Sequence, residues 1–165
     1  MELHVGLDVG STTVKVVALD AGRQLLFKSY ERHFSDIRGT VLNRLRELAG
    51  RFPGARLKMS ASGSSGMGLS ERLGIPFVQE VVACTEAVRR AGPAVDVIIE
   101  LGGEDAKLIY LTGGLEQRMN TACAGGTGAF IDQIAALLGT DAAGLNELAK
   151  KAEKIYPIAS RCGVF

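Results

Sequence analysis

Two stretches of the chain, Leu7–Gly22 (LDVGSTTVKVVALDAG) and Ile99–Gly114 (IELGGEDAKLIYLTGG), align without a gap and decide the fold. Each begins with a short apolar run that includes an acidic residue, and each continues through a glycine-containing turn into a second apolar run. The acid, the turn glycine and the lysine coincide in the two copies: Asp8 with Glu100, Gly10 with Gly102, and Lys15 with Lys107. Apolar runs on either side of a glycine turn predict a β-hairpin. The sequence therefore predicts two related hairpins.

Duplication of a lobe explains this register better than chance similarity between two hairpins. We expect a first lobe over 1–92 and a partial second lobe over 93–165. Hydrophobic periodicity predicts the other elements of an α/β fold: strands over 23–32, 57–61 and 115–119, and helices over 36–49, from 78 to about 91, from 125, and over 142–154. The Ser- and Gly-rich stretch 60–68 predicts a loop.

Composition excludes several classes of protein. The chain carries 19 Lys and Arg against 18 Asp and Glu, so it lacks the basic excess of most nucleic-acid binders. It has no apolar run of membrane-spanning length and no signal peptide, which predicts a cytoplasmic protein without a membrane partner. The odd number of cysteines (Cys84, Cys123 and Cys162) argues against a secreted disulfide framework. Free thiols or metal ligands are expected instead.

The two turns combine residues that bind phosphate. Glycine lets backbone N–H groups approach an anion, and neighbouring hydroxyls add donors. The candidate phosphate-binding residues are Gly10, Ser11, Thr12, Thr13, Lys15, Gly102 and Gly103. Asp8 is suited to hold Mg²⁺ directly or through water, and Glu104 or Asp105 is suited to orient an attacking water. The alternative interpretation makes Lys15 and Lys107 ordinary solvated strand residues.

Cys123 directly precedes the glycine-rich segment at the predicted start of a helix, where unpaired N–H groups and the helix dipole stabilise a thiolate. The alternative is a small buried thiol. Cys162 also lies beside a glycine. Two thiolates do not fill the four positions of an iron–sulfur cube or a zinc site, although a second subunit could supply the others. Cys84 lies in a predicted helix among valines, which indicates a core position.

Two motifs, Asp8-Val9-Gly10-Ser11-Thr12 and Glu100-Leu101-Gly102-Gly103, resemble the phosphate motifs of the actin, Hsp70 and sugar-kinase superfamily. That superfamily binds ATP between two RNase-H-like lobes, and its second motif commonly begins with Asp. A closer resemblance is to the ATP-dependent activators of 2-hydroxyacyl-CoA dehydratases, a family that includes the ATPase subunits of benzoyl-CoA reductase. It is carried by four segments: 7–12, 102–107, 119–128 and 160–165. The stretches 30–36 and 75–80 resemble the N-terminal module of large multi-domain members.

This resemblance implies an ATPase that binds ATP or ADP with Mg²⁺. It also implies a 4Fe-4S cluster shared between the two subunits of a homodimer, with Cys123 and Cys162 as ligands and with Gly125, Gly126 and Thr127 as cofactor-binding residues. ATP hydrolysis would reshape the dimer, and one electron would pass at very low potential to a dehydratase or reductase component. A ferredoxin or flavodoxin would be the reduced electron donor.

Two other classes stay open. A sugar or acetate-type kinase would share both phosphate turns, and a non-catalytic actin-like interaction module would retain its function without Cys123 and Cys162. Only three residues follow Cys162, and the adenosine motif of the superfamily is absent. We therefore expect a truncated second lobe that binds ATP weakly, in a parent protein that binds and hydrolyses ATP.

Overall fold

The computed structural model describes residues 1–92, 94–120 and 125–156. In it the chain forms two compact units, Met1–Gly92 and Pro93–Phe165. Each unit contains a β-sheet of its own. None of the helices in the described ranges is long and apolar enough to cross a membrane.

The first unit has the predicted β-β-β-α-β-α order, with one additional helix. Its elements are β1 (Glu2–Val9), β2 (Thr13–Leu19), β3 (Leu25–Arg32), α1 (Ile37–Arg51), β4 (Arg56–Ser62), α2 (Gly66–Leu73) and α3 (Glu80–Ala91). The strand order in the sheet is β3-β2-β1-β4. β1 pairs antiparallel with β2 and parallel with β4, so the carboxyl ends of β1 and β4 lie at the same edge of the sheet.

The core of this unit follows from the alternation of its strands. Side chains of a strand point alternately to opposite faces, and α1 packs against β2 and β3. The buried apolar residues of β1, β2 and α1 form one cluster: Leu3, Val5, Leu7, Val9, Val14, Val16, Ala18, Val41 and Leu48. The side chain of Asp36 caps α1 by accepting a hydrogen bond from the Gly39 N–H at 2.9 Å.

The predicted strand over 57–61 is confirmed as β4, and the predicted loop over 60–68 is shorter than expected. Residues 60–62 belong to β4, and the short helix α2 starts at Gly66. A Cβ at Gly66 would lie 3.4 Å from the Phe77 ring, which is an ordinary contact distance, and a Cβ at Gly68 would meet no heavy atom within 4 Å. The composition of this stretch is typical of a loop, but its second part forms the first turn of α2.

The second unit is a three-stranded antiparallel sheet followed by two helices. Its elements are β5 (Val97–Leu101), β6 (Ala106–Tyr110), β7 (Glu116–Met119), α4 (Gly128–Leu137) and α5 (Ala142–Ala149). The strand order is β5-β6-β7. The helix predicted over 142–154 ends at Ala149, where tighter turns replace the α-helical hydrogen bonds: the Lys151 N–H donates to the Leu148 carbonyl oxygen and the Ala152 N–H to the Ala149 carbonyl oxygen.

Candidate functional site

The first hairpin brings a carboxylate and an ammonium group together. Asp8 on β1 lies opposite Lys15 on β2 in the antiparallel register. The Lys15 Nζ is 2.7 Å from the Asp8 Oδ2, and both side chains are partly exposed. The same ammonium lies 5.5 Å from the centre of the Tyr30 ring on β3, within the range of a cation–π contact. Lys15 is therefore ion-paired with Asp8, and its role in phosphate binding stays a prediction.

The second oxygen of the Asp8 carboxylate is buried and accepts no hydrogen bond from the residues described. Gly63, in the turn after β4, lies directly against this oxygen. A Cβ at Gly63 would lie 2.6 Å from the Asp8 Oδ1 and 2.3 Å from the Val9 carbonyl oxygen, and the Gly63 φ is +94°. Only glycine fits this approach of the turn to the carboxylate.

This carboxylate has the donor chemistry of a magnesium ligand. Mg²⁺ is usually bound by one or two carboxylates together with phosphate oxygens and waters. The orphaned Asp8 Oδ1 fits that role, and the described residues contain no group of three or more His, Cys, Asp or Glu that could hold a metal alone. A cavity of about 310 Å³ lies beside Asp8 and Lys15 and is also lined by Ser60 and Ser62. A Mg²⁺ ion bound to Asp8 would therefore need the oxygens of a phosphate ligand to complete its coordination.

The turn between β1 and β2 presents free backbone donors. The Gly10 N–H donates to the Thr13 carbonyl oxygen at 2.9 Å and closes the turn. The N–H groups of Ser11 and Thr12 donate to no other residue in the described part of the chain. Free N–H groups in a glycine turn form a concave anion site. The turn predicted to bind phosphate thus has the necessary donors.

The second hairpin repeats this geometry 92 residues later. Glu100 on β5 lies opposite Lys107 on β6, with 3.6 Å between the Lys107 Nζ and the Glu100 Oε2. Lys107 is buried, at 8% exposure. The Gly102 N–H donates to the Asp105 carbonyl oxygen at 2.8 Å, which is the bond made in the first turn by the corresponding residues. The repeat seen in the sequence is therefore also a repeat of hydrogen bonding.

The second turn is fixed by the start of α4. The Gly128 N–H donates to the Gly102 carbonyl oxygen at 2.9 Å, and the Ala129 N–H donates to the Gly103 carbonyl oxygen at 2.8 Å. A Cβ at Gly128 would lie 3.4 Å from the same Gly102 oxygen. These two N–H groups therefore hold the second turn against the start of α4.

The remaining predicted residues are placed as follows. Glu104 and Asp105 are exposed in the second turn, Gly125 and Gly126 lie ahead of α4, and Thr127 is fully buried at its N-cap. Cys123 and Cys162 lie outside the described residues.

Cys84 is half-buried on α3, so its prediction as a core residue is wrong. Thr85 is the buried residue of α3, and the valine run that suggested a core position includes the exposed Val82.

Two residues of the site could not be found from the sequence pattern. Gly63 is one of many glycines, and its contact with Asp8 follows from the parallel pairing of β4 with β1. His33 is an isolated histidine after β3, yet its side chain lies 3.3 Å from the Gly10 carbonyl oxygen. Only the tertiary structure brings these residues to the first turn.

The chain is similar in sequence and in fold to several known proteins. The (R)-2-hydroxyglutaryl-CoA dehydratase activating ATPase of Acidaminococcus fermentans is 31% identical over 98% of this chain and 63% of its own length. The activator of lactoyl-CoA dehydratase of Anaerotignum propionicum is 30% identical over 98% of this chain and 63% of its own length. The chain thus spans less than two thirds of these relatives.

A solved structure, the activator of the 2-hydroxyisocaproyl-CoA dehydratase from Clostridium difficile with bound ADPNP, matches with a TM-score of 0.81 and 27% identity. The match covers 98% of this chain and 62% of that one. The predicted α/β fold of actin-type ATPases is confirmed. The family model of the BadF/BadG/BcrA/BcrD ATPases matches residues 5–165. The chain belongs to the BadF/BadG/BcrA/BcrD ATPase family.

Proposed function

We propose that the two hairpins bind the phosphates of ATP and that the protein hydrolyses ATP. The observation that carries this proposal is the repeated arrangement of an acid, a glycine turn and a lysine, with the same turn hydrogen bond in both copies. Lysine binds phosphate as a point charge, and free N–H groups add directed hydrogen bonds. The presence of ADPNP in the solved relative supports the choice of nucleotide.

Each candidate residue has a proposed role. Asp8 would hold Mg²⁺, which neutralises developing charge on the phosphates. Lys15 and the N–H groups of the first turn would bind phosphate oxygens, as would the N–H groups of Gly103 and Glu104 in the second turn. The carboxylate of Glu104 or Asp105 would accept a hydrogen bond from the water that attacks the γ-phosphorus, which yields ADP and phosphate. Gly125, Gly126 and Thr127 would complete cofactor binding.

We further propose that the whole protein is a homodimeric activator of a 2-hydroxyacyl-CoA dehydratase or a related CoA-thioester reductase. The names of the relatives support this class of partner. Cys123 and Cys162 from each subunit would ligate one 4Fe-4S cluster. The cluster would donate one electron at low potential, and a reduced ferredoxin or flavodoxin would reduce it again. Binding and hydrolysis of ATP would shift the dimer between two states.

The ATPase proposal is tested with Lys15→Met. Replacement of an ammonium that binds phosphate should weaken Mg-ATP binding by about tenfold or more, since a hydrogen bond to a charged group contributes about 1.5–3 kcal/mol. ATP binding and phosphate release are measured for the wild type, for Lys15→Met, and for Lys28→Met as a control on the exposed side of β3. An equal loss of Mg-ATP affinity in both variants, or no loss of affinity in Lys15→Met, would contradict the proposed role of Lys15.

The cluster proposal is tested by anaerobic purification with measurement of iron, acid-labile sulfide and the EPR spectrum after reduction. About four irons per dimer are expected, as for one 4Fe-4S cluster. Iron should be lost in Cys123→Ser and retained in Cys84→Ser, since Cys84 lies on α3. A dimer that holds no iron, together with phosphoryl transfer from ATP to a small molecule, would favour the kinase alternative.

A further inference from the structure

His33 is a buried histidine at the back of the first turn. It follows β3 directly, and its residue is only 6% exposed. Its ring Nε2 lies 3.3 Å from the Gly10 carbonyl oxygen, and its backbone N–H donates to the Thr12 carbonyl oxygen at 3.2 Å. One residue thus contacts two carbonyl groups of the turn that is proposed to bind phosphate.

The hydrogen bonds of the ring assign its tautomer. The Nδ1 accepts a hydrogen bond from the Ser35 N–H at 3.1 Å and therefore carries no proton. The proton of the neutral ring must then be on Nε2, which faces the Gly10 carbonyl oxygen. His33 is consequently a hydrogen-bond donor to the turn.

The held carbonyl fixes the direction of a neighbouring donor. The Gly10 carbonyl and the Ser11 N–H belong to one peptide unit, which is planar and trans, so the two groups point in opposite directions. When His33 holds the Gly10 oxygen, the Ser11 N–H points away from the ring. That N–H donates to no other residue in the part of the chain that the structure describes. Its orientation is set before any ligand arrives.

The second hairpin holds the corresponding carbonyl in another way. Gly102 stands 92 residues after Gly10, and its carbonyl oxygen accepts a hydrogen bond from the Gly128 N–H at the start of α4. In both hairpins the peptide after the turn glycine is therefore held through its oxygen. The Gly10 carbonyl is held by a histidine side chain in the first hairpin, and the Gly102 carbonyl is held by a helix N-terminus in the second.

The backbone around His33 is shaped to keep the ring in this place. Phe34 and Ser35 both have positive φ, at 43° and 70°, which is a costly conformation for residues with a Cβ. They form the middle of a tight turn in which the Asp36 N–H donates to the His33 carbonyl oxygen at 2.7 Å. This turn directs the Ser35 N–H to the ring.

We infer that His33 is a positioning residue for the first phosphate turn: it holds the Gly10 peptide so that the Ser11 N–H is presented to the nucleotide. The inference rests on the proposed binding of ATP phosphates by this turn. His33 does not touch the nucleotide itself. Its effect should therefore be seen in the response of the Ser11 amide to Mg-ATP.

The test is a titration of the ¹⁵N-labelled chain with Mg-ATP, followed by amide chemical shifts. In His33→Leu the dissociation constant should rise about fivefold, as expected for one hydrogen bond of ordinary strength. The shift of the Ser11 amide at saturation should also shrink. His33→Gln places an amide donor near the position of Nε2 and should restore both values, whereas the shorter His33→Asn should not. His4→Leu, at the exposed histidine of β1, is the matched control.

The outcomes separate this inference from the proposed function. If the wild type binds Mg-ATP and His33→Leu shows the same dissociation constant and the same Ser11 shift, the role of His33 is refuted while ATP binding stands. If the wild type shows no shift in the first turn, the proposed site fails and the inference fails with it. If His33→Leu does not fold, the comparison of His33→Gln with His33→Asn decides, and equal behaviour of these two refutes the inference.

Discussion

Gly63 gives a stability prediction whose size can be worked out from the structure. Gly63→Ala would place a methyl group 2.3 Å from the Val9 carbonyl oxygen and 2.6 Å from the Asp8 Oδ1. β1 cannot move away easily, because it is paired with β2 on one side and β4 on the other. Overpacking of this kind costs about 1–3 kcal/mol. The positive φ of 94° adds about 1–2 kcal/mol for a residue with a Cβ.

The expected loss for Gly63→Ala is therefore about 2–5 kcal/mol of the free energy of unfolding. Gly54→Ala is the matched control, because Gly54 has a φ of +72° and no heavy atom within 4 Å of an added Cβ. It should lose only the backbone contribution of about 1–2 kcal/mol. The chain has no tryptophan, so urea unfolding is followed by far-ultraviolet circular dichroism. Equal losses in the two variants would refute the contact of Gly63 with Asp8 and Val9.

Two other predictions concern the first unit. Leu48→Ala, in the buried face of α1, should lower the free energy of unfolding in urea by about 2–5 kcal/mol. Leu42→Ala, at a partly exposed position, should lower it clearly less. Similar losses in the two variants would show that the assigned core face of α1 is wrong. Ser35→Gly should raise the free energy of unfolding by up to about 1 kcal/mol, because glycine adopts the positive φ of 70° without steric cost. Glycine also keeps the backbone N–H that donates to the His33 ring. A lower free energy of unfolding in urea would contradict the assigned backbone strain.

The sequence predicts the parts of the site that depend on local pattern. The apolar runs and the glycine turn between them predict the first hairpin, and in the structure β1 and β2 pair antiparallel with Asp8 opposite Lys15. The same holds for Glu100 and Lys107 in the second hairpin. A strand has a period of two residues, so register follows once the turn is recognised.

The parts that escaped prediction depend on contacts between distant segments. Gly63 meets the Asp8 carboxylate because β4 pairs with β1, and this pairing cannot be inferred from the composition of the Ser- and Gly-rich stretch. The Gly128 and Ala129 N–H groups donate to the carbonyl oxygens of Gly102 and Gly103, a contact that no local pattern indicates. His33 lies in no recurring pattern, and its role depends on a turn with two left-handed residues.

The central claim is that the two repeated turns bind the phosphates of ATP. A titration of the ¹⁵N-labelled wild-type chain with Mg-ATP tests it most directly, because amide shifts also report weak binding. We expect the amides of Ser11 and Thr12 in the first turn and of Gly103 and Glu104 in the second turn to shift with one common dissociation constant, and Mg-AMP to bind much more weakly. Unchanged amides in both turns at millimolar Mg-ATP, or equal shifts with adenosine, would contradict the claim.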